Sequence, residues 1–429
     1  MKILITGATG FIGGHLRALL RARGHALVLA GRRAPSTLAG DETWLPLDFV
    51  AAPAAAALAP SLAGIDVAVN AAGIFREVGE QTFENLHSRG PIALFEACAR
   101  AGVRRIVQVS ALGADAEATS RFHLSKRAAD DFLRSIDVEA VVAQPSLVYG
   151  ADGASARRLL AAATMPLLFL PAGGRQRVQP IHVDDASAAL AALCEQPLAF
   201  DPTIALVGAE ALSLGEYLQT LRASLGMRRA AVLAIPSFAV GIATRLVDAL
   251  LRRPFAAETW AMLQRGNEAA VSAIARLLGH VPLAPDRFIA AEEAPLLRTR
   301  AQLDWLLPLL RLSIAVVWIA TGLVSFGAYP VADSFALLER AGVPASLRPL
   351  ALYGAAALDL LLGLATLALP RRRWLWRAQI ALILAYTLII TVRLPEFWLH
   401  PYGPVLKNLP MLAALWLLLE LERGHETRR

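Results

Sequence analysis

Residues 2–16 read KILITGATGFIGGHL, and this stretch decides the fold of the chain. An apolar run ends at a glycine-spaced turn, and a helix-like pattern of leucines follows the turn. Because glycine has no side chain, Gly7, Gly10 and Gly13 allow the backbone to approach a ligand, and amides at a helix start attract anionic oxygens. A second apolar strand, Ala26–Ala30, comes next. The stretch therefore predicts a strand–turn–helix that binds the pyrophosphate of a dinucleotide.

The composition places part of the chain in a membrane. With 429 residues the chain is too long for one ordinary core, so several domains are expected. Apolar residues make up 56%, charged residues 18%, and the mean hydropathy is +0.50, values that indicate a membrane part. The net charge is +7, but the basic residues do not cluster with aromatic ones, so no nucleic-acid partner is expected. The cysteines, Cys98 and Cys194, give neither a disulfide framework nor a metal site.

Short apolar runs alternate with helix-like stretches up to about residue 150. The predicted strands are 2–6, 26–30, 43–47, 66–70, 104–109 and 138–143, and the predicted helices lie near 11–23, 53–62, 81–101 and 120–135. This alternation predicts an α/β fold with a doubly wound parallel Rossmann sheet, whose ligand lies at the carboxyl ends of the strands. We expect residues 1–150 to form an NAD(P)-binding Rossmann domain.

A small substrate lobe is expected over residues 151–295. Two of its stretches, Leu159–Pro171 and Ala230–Leu251, are apolar but contain proline or charged residues. Such stretches predict core helices or an apolar pocket wall, with an interfacial helix as the alternative. His182 and Asp185 either line the substrate cleft or close the loop by hydrogen bonding.

The last third of the chain, residues 300–425, contains apolar segments. They are Trp305–Tyr329, Leu347–Leu369, Trp374–Leu394 and Val405–Leu419, of which the first three are long enough to cross a bilayer. We predict an all-α four-helix transmembrane bundle. Asp359 interrupts the second segment and is a site candidate, and Arg311 in the first segment is its possible partner.

The basic residues predict an orientation. Arg371, Arg372, Arg373 and Arg377 crowd the connection between the second and third segments. The positive-inside bias therefore places this loop, both termini and the nucleotide domain in the cytoplasm, and makes the chain a multi-pass protein of the cytoplasmic membrane. No cleaved signal peptide is expected, because the first strand begins at residue 2.

The end of the second strand predicts which dinucleotide is bound. An acidic side chain at this place selects a free ribose 2′-hydroxyl, but here Gly31 is followed by Arg32 and Arg33. Guanidinium groups pair with a 2′-phosphate, so the sequence favours NADPH over NADH. Asp48, after the third strand, either accepts a hydrogen bond from the adenine amino group or caps a helix.

Several ordered motifs resemble the short-chain dehydrogenase/reductase superfamily in its extended and atypical branches. They are ITGATGFIG at 5–13, AGVRRIVQVS at 101–110, QPSLVYG at 144–150 and QPIHVDD at 179–185. Within the superfamily the chain is most similar to NAD-dependent epimerase/dehydratase-like and complex I accessory-subunit-like proteins. The end of the chain resembles the DoxX-like four-helix membrane family through WIATG at 318–322, ALDLLLG at 357–363 and KNLP at 407–410.

The resemblance and the local pattern together predict the cofactor-binding residues. They are Gly7, Thr9, Gly10, Phe11, Ile12, Gly13, Arg32, Arg33, Asp48, Ala71, Ala72, Gly73, Lys126 and Pro145.

The catalytic pattern departs from that of the superfamily. The superfamily uses a Tyr-x-x-x-Lys pair with a serine upstream, and Lys126 and Ser110 fit two of these positions as predicted catalytic residues. The tyrosine position holds Phe122, which has no proton to give. His123 is adjacent but points about 100° away along a helix, so we expect it to be a surface histidine.

Three functions remain open. The first is a membrane-anchored NAD(P)H-dependent oxidoreductase that acts on a hydrophobic quinone, lipid or isoprenoid-like substrate. The second is an NADPH-binding structural, assembly or sensor protein with little catalysis, because of Phe122. The third is a nucleotide-sugar epimerase or dehydratase. The lipid bilayer is an expected partner of the chain, and a homo-oligomer or a membrane complex is a possible assembly.

Overall fold

The computed structural model describes residues 1–51, 53–197, 202–251, 256–370 and 372–426. Arg371, which the orientation argument uses, lies outside these residues. The chain forms two compact units, Met1–Ala301 and Gln302–Arg429. The predicted Rossmann domain and substrate lobe thus lie together in the first unit.

The strands belong to one large sheet and to short two-stranded pairs. Their bounds are β1 Lys2–Thr6, β2 Ala26–Gly31, β3 Glu42–Pro46, β4 Val67–Asn70, β5 Arg105–Val109, β6 Glu139–Pro145, β7 Val148–Tyr149, β8 Leu167–Pro171, β9 Arg177–Val178, β10 Ile181–His182, β11 Thr203–Leu206, β12 Leu212–Ser213 and β13 Ala231–Ile235.

The helices cover both sheet faces and most of the second unit. Their bounds are α1 Phe11–Ala22, α2 Ala55–Leu58, α3 Gly90–Ala101, α4 Arg121–Ser135, α5 Ala154–Thr164, α6 Val183–Glu195, α7 Leu214–Ser224, α8 Ser237–Leu251, α9 Ala256–Arg265, α10 Ser272–Leu278, α11 Ala294–Leu323, α12 Val331–Arg340, α13 Arg348–Ala368, α14 Arg373–Arg393 and α15 Asn408–Glu426.

The large sheet confirms the predicted Rossmann architecture. Its seven described strands are all parallel and run in the order β11-β6-β5-β4-β1-β2-β3. Helices α1, α6 and α10 pack on one face, and α2, α3 and α4 pack on the other. Because both faces are covered, the strands are continuous apolar runs, which is why the sequence reveals them. The order of the strands in the sheet reverses between β4 and β1. Sheets of this kind bind nucleotides at the carboxyl ends of the strands at that point.

The lobe beyond residue 150 contributes to the same unit in two ways. Strand β11 pairs with β6 and so extends the large sheet. Helices α5 and α7 and the buried face of β8 form a second core with Tyr149 and Phe288. This sharing of the sheet explains why the two predicted domains form one compact unit.

The prediction of a buried helix over Ala230–Leu251 is wrong. The stretch forms β13 and α8, and Phe238, Leu246 and Leu250 are 73%, 65% and 83% exposed. The apolar content indicated burial, but it is Asp248 of α8 that bonds to α9, while these apolar side chains are exposed.

The second unit contains long apolar helices. The spans Ala294–Ala328, Ala345–Ala368 and Arg373–Arg393 are long and apolar enough to cross a membrane, within the described residues. The fourth predicted segment lies in α15, and α11, α13, α14 and α15 share a core that includes Trp318 and Trp376.

Polar contacts join these helices. Trp318 Nε1 donates to Gln379 Oε1 at 2.9 Å, and Gln379 Nε2 donates to Thr366 Oγ1 at 2.8 Å, all three side chains being buried. The expected partnership of Arg311 with Asp359 is wrong, because Arg311 pairs with Glu422 of α15 at 3.1 Å. The sequence could not reveal this pairing, since Glu422 lies beyond the apolar part of its segment.

The contact between α1 and β1 generates the first prediction. A Cβ at Gly13 would lie 2.2 Å from the Gly7 carbonyl oxygen, whereas one at Gly14 would lie 3.7 Å from its nearest neighbour. Gly13→Ala should therefore destabilise the first unit by about 1–3 kcal/mol through overpacking. Gly14→Ala should stabilise it by about 0.5–1 kcal/mol through helix propensity. Calorimetric melting of the full chain in detergent would measure both, and equal melting temperatures would contradict this account of the packing.

Candidate dinucleotide-binding and active site

A cleft of about 530 Å³ opens at the carboxyl ends of β1, β2, β3 and β4. This is where a doubly wound sheet binds its ligand. The cleft brings together the following predicted residues: Gly7, Thr9, Gly10, Arg32, Arg33, Asp48, Ala71, Ala72 and Gly73.

The glycine turn forms the floor of the cleft. Gly7 has φ +69°, and a Cβ there would lie 2.6 Å from the Ala71 carbonyl oxygen. The Gly10 amide donates to the Gly7 oxygen at 2.8 Å, and α1 begins after Gly10 with no side chain capping its amides. The uncapped amides face an open cleft, so the turn fits the pyrophosphate of a dinucleotide.

Five of the predicted residues lie outside the lining of the cleft: Lys126, which is described below, and four others. The Phe11 ring lies against Gly150, where a Cβ would approach Phe11 Cζ to 2.8 Å, and Ile12 packs on the sheet core. Gly13 fits α1 closely to the turn, and Pro145 ends β6 with its oxygen accepting from the Leu112 amide at 3.0 Å. The roles predicted for these four residues therefore depend on their backbone atoms.

Two exposed guanidinium groups stand at the end of β2. Arg32 and Arg33 line the cleft, and neither has an ion pair in the described part of the chain. Glu42 is the acidic residue with buried oxygens that lies nearest to these arginines in sequence. Its carboxylate is already paired with Arg17. Asp48 lines the cleft and accepts from the Val50 amide at 2.9 Å. The helix-cap interpretation of Asp48 is wrong, because α2 begins at Ala55.

Lys126 lies between the cofactor cleft and the sheet. It stands on the buried face of α4, and its Nζ donates to the Val109 carbonyl oxygen at 3.0 Å. A Cβ at Gly73, which lines the cleft, would lie 3.2 Å from this Nζ, so the absence of a side chain at Gly73 leaves the buried ammonium next to the cleft. Burial lowers the pKa of Lys126 to about 8, and the charge of Asp130 opposes this effect.

A buried carboxyl group that the sequence analysis missed lies beside Ser110. The Ser110 hydroxyl donates a hydrogen bond to Asp130 Oδ2. Burial raises the pKa of Asp130 to about 6, although the hydrogen bond from Ser110 and the charge of Lys126 both lower it. Asp130 stands one helical turn after Lys126, and this i, i+4 spacing was the available signal.

The carboxyl group of Asp130 belongs to a row of buried polar side chains that crosses the sheet. This row also includes the hydroxyl of Thr6. Gln108 interacts with Asp130 and accepts from Asn70 Nδ2 at 2.7 Å, and Thr6 Oγ1 donates to Asn70 Oδ1 at 2.5 Å. These side chains stand at the carboxyl ends of β1, β4 and β5. They connect the cofactor turn with the Ser110 side of the site.

Aromatic rings surround the position where the superfamily has its tyrosine. The Phe122 ring makes edge contacts with Phe75, Phe83 and His87, with centroid separations of 5.4, 5.8 and 5.3 Å. Phe75 is half exposed, so the cluster reaches the surface beside the cleft. The aromatic wall next to Lys126 is therefore built from rings in edge contact, and Phe122 itself carries no hydroxyl.

His87 does not replace the missing phenol. Its Nε2 lies 3.0 Å from the Ile74 amide, which donates to it, so this nitrogen carries no proton. Its Nδ1 lies 3.1 Å from Ser125 Oγ. Burial and the charge of Lys126 lower the pKa of His87 to about 2, so the ring is neutral at physiological pH.

The expectation that His123 is a surface histidine is wrong. Its side chain is buried beside Gly113 and Arg265, and burial lowers its pKa to about 4. The error arose because the sequence did not reveal that α9 covers this side of α4. Arg265 at the end of α9 bonds to Asp115 and to the Gly113 oxygen at 2.7 Å.

The contacts of His182 and Asp185 fit the loop-closing interpretation. Asp185 Oδ2 accepts from the Leu283 amide at 2.7 Å, which ties α6 to the segment that precedes α11. His182 caps α6 by accepting from the Asp184 amide, and its ring lies near Phe288.

The fold and the cleft define a doubly wound α/β domain whose cleft fits a dinucleotide, and an apolar helical unit follows this domain. Residues 3–208 match the NAD dependent epimerase/dehydratase family, and residues 315–416 match the DoxX-like family. Both resemblances predicted from the sequence are therefore confirmed.

Two curated relatives are similar to part of the chain. The ceramide reductase of Caulobacter vibrioides is 32% identical over 198 residues, which cover 46% of this chain and 62% of that protein. The mitochondrial NADH dehydrogenase (ubiquinone) 1 alpha subcomplex subunit 9 of Mus musculus is 30% identical over 149 residues, 33% of this chain and 38% of that protein. The chain thus spans less than two thirds of either relative.

A solved structure shares the fold. The NADPH-dependent quinone oxidoreductase of Escherichia coli, complexed with NADPH, has a TM-score of 0.53 and 20% identity over 66% of this chain and 97% of that protein. This likeness shows the shared fold, and it is the family match that supports a nicotinamide cofactor. The DoxX-like match and the apolar helices make this a membrane-associated protein.

Asp130 generates a prediction about pH. Its folded pKa of about 6 exceeds the ordinary aspartate value of about 4, so the folded state holds this proton more tightly. As the pH rises from 4 to 6, this group should therefore lower the free energy of unfolding by up to about 3 kcal/mol. Asp130→Asn should remove this decrease.

Melting temperatures of the full chain in detergent, taken from pH 4 to 7, would measure the effect. The matched control is Asp131→Asn, because Asp131 is exposed and pairs with Arg127 and Arg134. If the two variants show the same pH slope, Asp130 does not titrate as the buried geometry requires.

Proposed function

We propose that the chain is a membrane-anchored NADPH-dependent oxidoreductase that reduces a hydrophobic quinone, lipid or isoprenoid-like acceptor. The observation that carries this proposal is the aromatic wall around Phe122, directly beside the buried ammonium of Lys126. A flat apolar acceptor fits such a wall, whereas a sugar hydroxyl would meet no acid or base there. The bound cofactor supplies the hydride.

The protein's own residues hold the reactants. The uncapped amides of α1 and the turn at Gly7 bind the pyrophosphate, and Lys126 orients the nicotinamide ribose by hydrogen bonding. Asp130 balances the charge of Lys126 and keeps the Ser110 hydroxyl directed inward. Because the Ser110 proton is engaged by Asp130, the site supplies no ready proton donor to the acceptor.

The absent donor limits the acceptor. General acid catalysis contributes about 10²–10⁴-fold to the reduction of a simple ketone, and Phe122 cannot provide it. A quinone delocalises the charge that it gains with the hydride, so the second step is proton uptake from water. The sum of the reaction is quinone, NADPH and one proton giving hydroquinone and NADP⁺.

A second candidate function is an NADPH-binding structural, assembly or sensor role with little turnover. The specific observation in its favour is the same loss of the proton donor at Phe122, combined with the engaged hydroxyl of Ser110. The similarity to a complex I subunit is consistent with a binding role.

The same proposal places the protein in the cytoplasmic membrane as a multi-pass chain, with both termini and the Rossmann domain on the cytoplasmic side. The basic connection that includes Arg372, Arg373 and Arg377 supports this orientation through the positive-inside bias.

The function is tested by following NADPH oxidation by the full chain in detergent. We expect turnover with short-chain quinones and little with simple ketones. Phe122→Tyr should raise ketone reduction by about 10²–10⁴-fold by restoring the acid. The matched control is Phe75→Tyr, which adds a hydroxyl to a neighbouring ring of the same cluster. NADPH binding without oxidation by any acceptor would instead support the second candidate.

The cofactor preference is tested at the end of β2. Arg32→Asp and Arg33→Asp should each weaken NADPH binding relative to NADH, because a charged hydrogen bond to phosphate is worth about 1.5–3 kcal/mol, roughly 10- to 150-fold. Arg21→Asp makes the same charge change at an exposed position of α1 away from the cleft. Calorimetric titration of both dinucleotides would measure the ratio, and an unchanged ratio in all variants would remove NADPH preference from the proposal.

A further inference from the structure

Helix α8 turns its apolar side outward. Phe238, Ile242, Leu246 and Leu250 recur at every fourth position, and all four are more than half exposed. Residues four apart share one side of a helix, so these side chains form one continuous surface, which we call the outer face of α8. These four side chains together expose a larger apolar surface than single leucines scattered over a protein would expose.

Two polar residues of α8, Asp248 and Thr244, lie on the side opposite the outer face. Asp248 Oδ1 and Oδ2 accept from the amides of Ala256 and Ala257 at 2.8 and 3.0 Å, and so bond to the first turn of α9. Thr244 is partly buried on the same side and donates to the Gly241 oxygen at 3.1 Å. Helix α8 therefore keeps its polar contacts inside the first unit and leaves its apolar side without a protein neighbour in the described residues.

The neighbouring strand pair extends this surface. Leu233 of β13 pairs with Phe169 of β8, and both side chains are about half exposed. On β8 the alternate residues Leu168 and Leu170 are buried, so Phe169 belongs to the outward side of the pair.

The charged residues of this stretch include three exposed arginines, and the exposed Glu216 of α7 lies within electrostatic range of one of them, Arg229. Arg228 and Arg229 precede β13, and Arg245 lies on α8, all three being exposed. The acidic residue of the same stretch, Asp248, is bonded to α9 and partly buried. An apolar face bordered by exposed arginines complements a bilayer with anionic headgroups.

We propose that the outer face of α8 lies on the surface of an anionic lipid bilayer. The occupant is available, because the same chain carries three helices able to cross a membrane and so keeps lipid at high effective concentration. The inference goes beyond the proposed function, since it requires neither a bound cofactor nor turnover.

The contact has a consequence for the site. Glu258 of α9 accepts from the Arg121 amide at 3.2 Å, one residue before Phe122. Arg265, at the other end of α9, bonds to Asp115 in the loop that follows Ser110. Through α9, a lipid-bound α8 is thus joined directly to the two segments that form the acceptor side of the site.

The test places a nitroxide label on the full chain in nanodiscs that contain phosphatidylglycerol. Leu246→Cys carries the label on the outer face, and Ala99→Cys carries it on an exposed position of α3 as the matched control. The native Cys98 and Cys194 are fully buried, and burial raises the pKa of each thiol to about 12, so neither takes the label.

Power saturation then compares collisions with oxygen, which concentrates in lipid, and with a water-soluble nickel chelate. We expect the oxygen-to-nickel ratio to be several-fold higher at 246 than at 99, and to fall when phosphatidylcholine replaces the anionic lipid. Equal ratios at 246 and 99 would place α8 in water and overturn the proposal. Protection of 246 from both reagents would also overturn it, because protein would then cover the face. A high oxygen-to-nickel ratio that is the same with anionic lipid and with phosphatidylcholine would overturn the role given to the arginines.

Discussion

The site depends on one constraint, the burial of the ammonium of Lys126 and the carboxyl group of Asp130 on the same face of α4. Neither group is solvated, so each needs the other and a set of hydrogen bonds to remain in the core. Val109 supplies an oxygen to the ammonium, and Ser110 donates to the carboxyl group. Val109 ends β5 and Ser110 follows it, so the register of β5 in the sheet fixes where Lys126 and Asp130 lie, and with them the proposed positions of the cofactor ribose and the acceptor.

This constraint explains why the loss of a phenol leaves the rest of the site intact. A tyrosine at position 122 would contribute a proton but would not hold Lys126, whose contacts are with the backbone of β5 and with its own helix. Phe122 instead packs among Phe75, Phe83 and His87, which are satisfied without any hydroxyl. The architecture thus separates cofactor binding from proton supply, and only the second function has been removed.

Local pattern predicted the parts of the molecule whose neighbours are close in sequence. The strands, the glycine turn and the shared face of residues 122 and 126 follow from periods of two and 3.6 residues. Asp130, His87 and the pairing of Arg311 with Glu422 depend on contacts between separate elements, which periodicity cannot supply. For α8 the apolar pattern was recognised correctly, but the pattern gives only the presence of an apolar side and not the medium that it faces.

The arrangement of α8 and α9 gives a physical reason to join this site to a membrane unit. An acceptor soluble in lipid is dilute in water, so an aqueous cleft would meet it rarely. If α8 lies on the bilayer, α9 connects it to the loop after Ser110 through Arg265 and to the start of α4 through Glu258. The contact of Arg265 with Asp115 is an exposed ion pair, and that of Glu258 is an exposed hydrogen bond from the Arg121 amide, so each is individually weak. The Lys126–Asp130 pair is buried and lies outside these contacts, so the proposed lipid contact of α8 concerns the acceptor side of the site and not this pair.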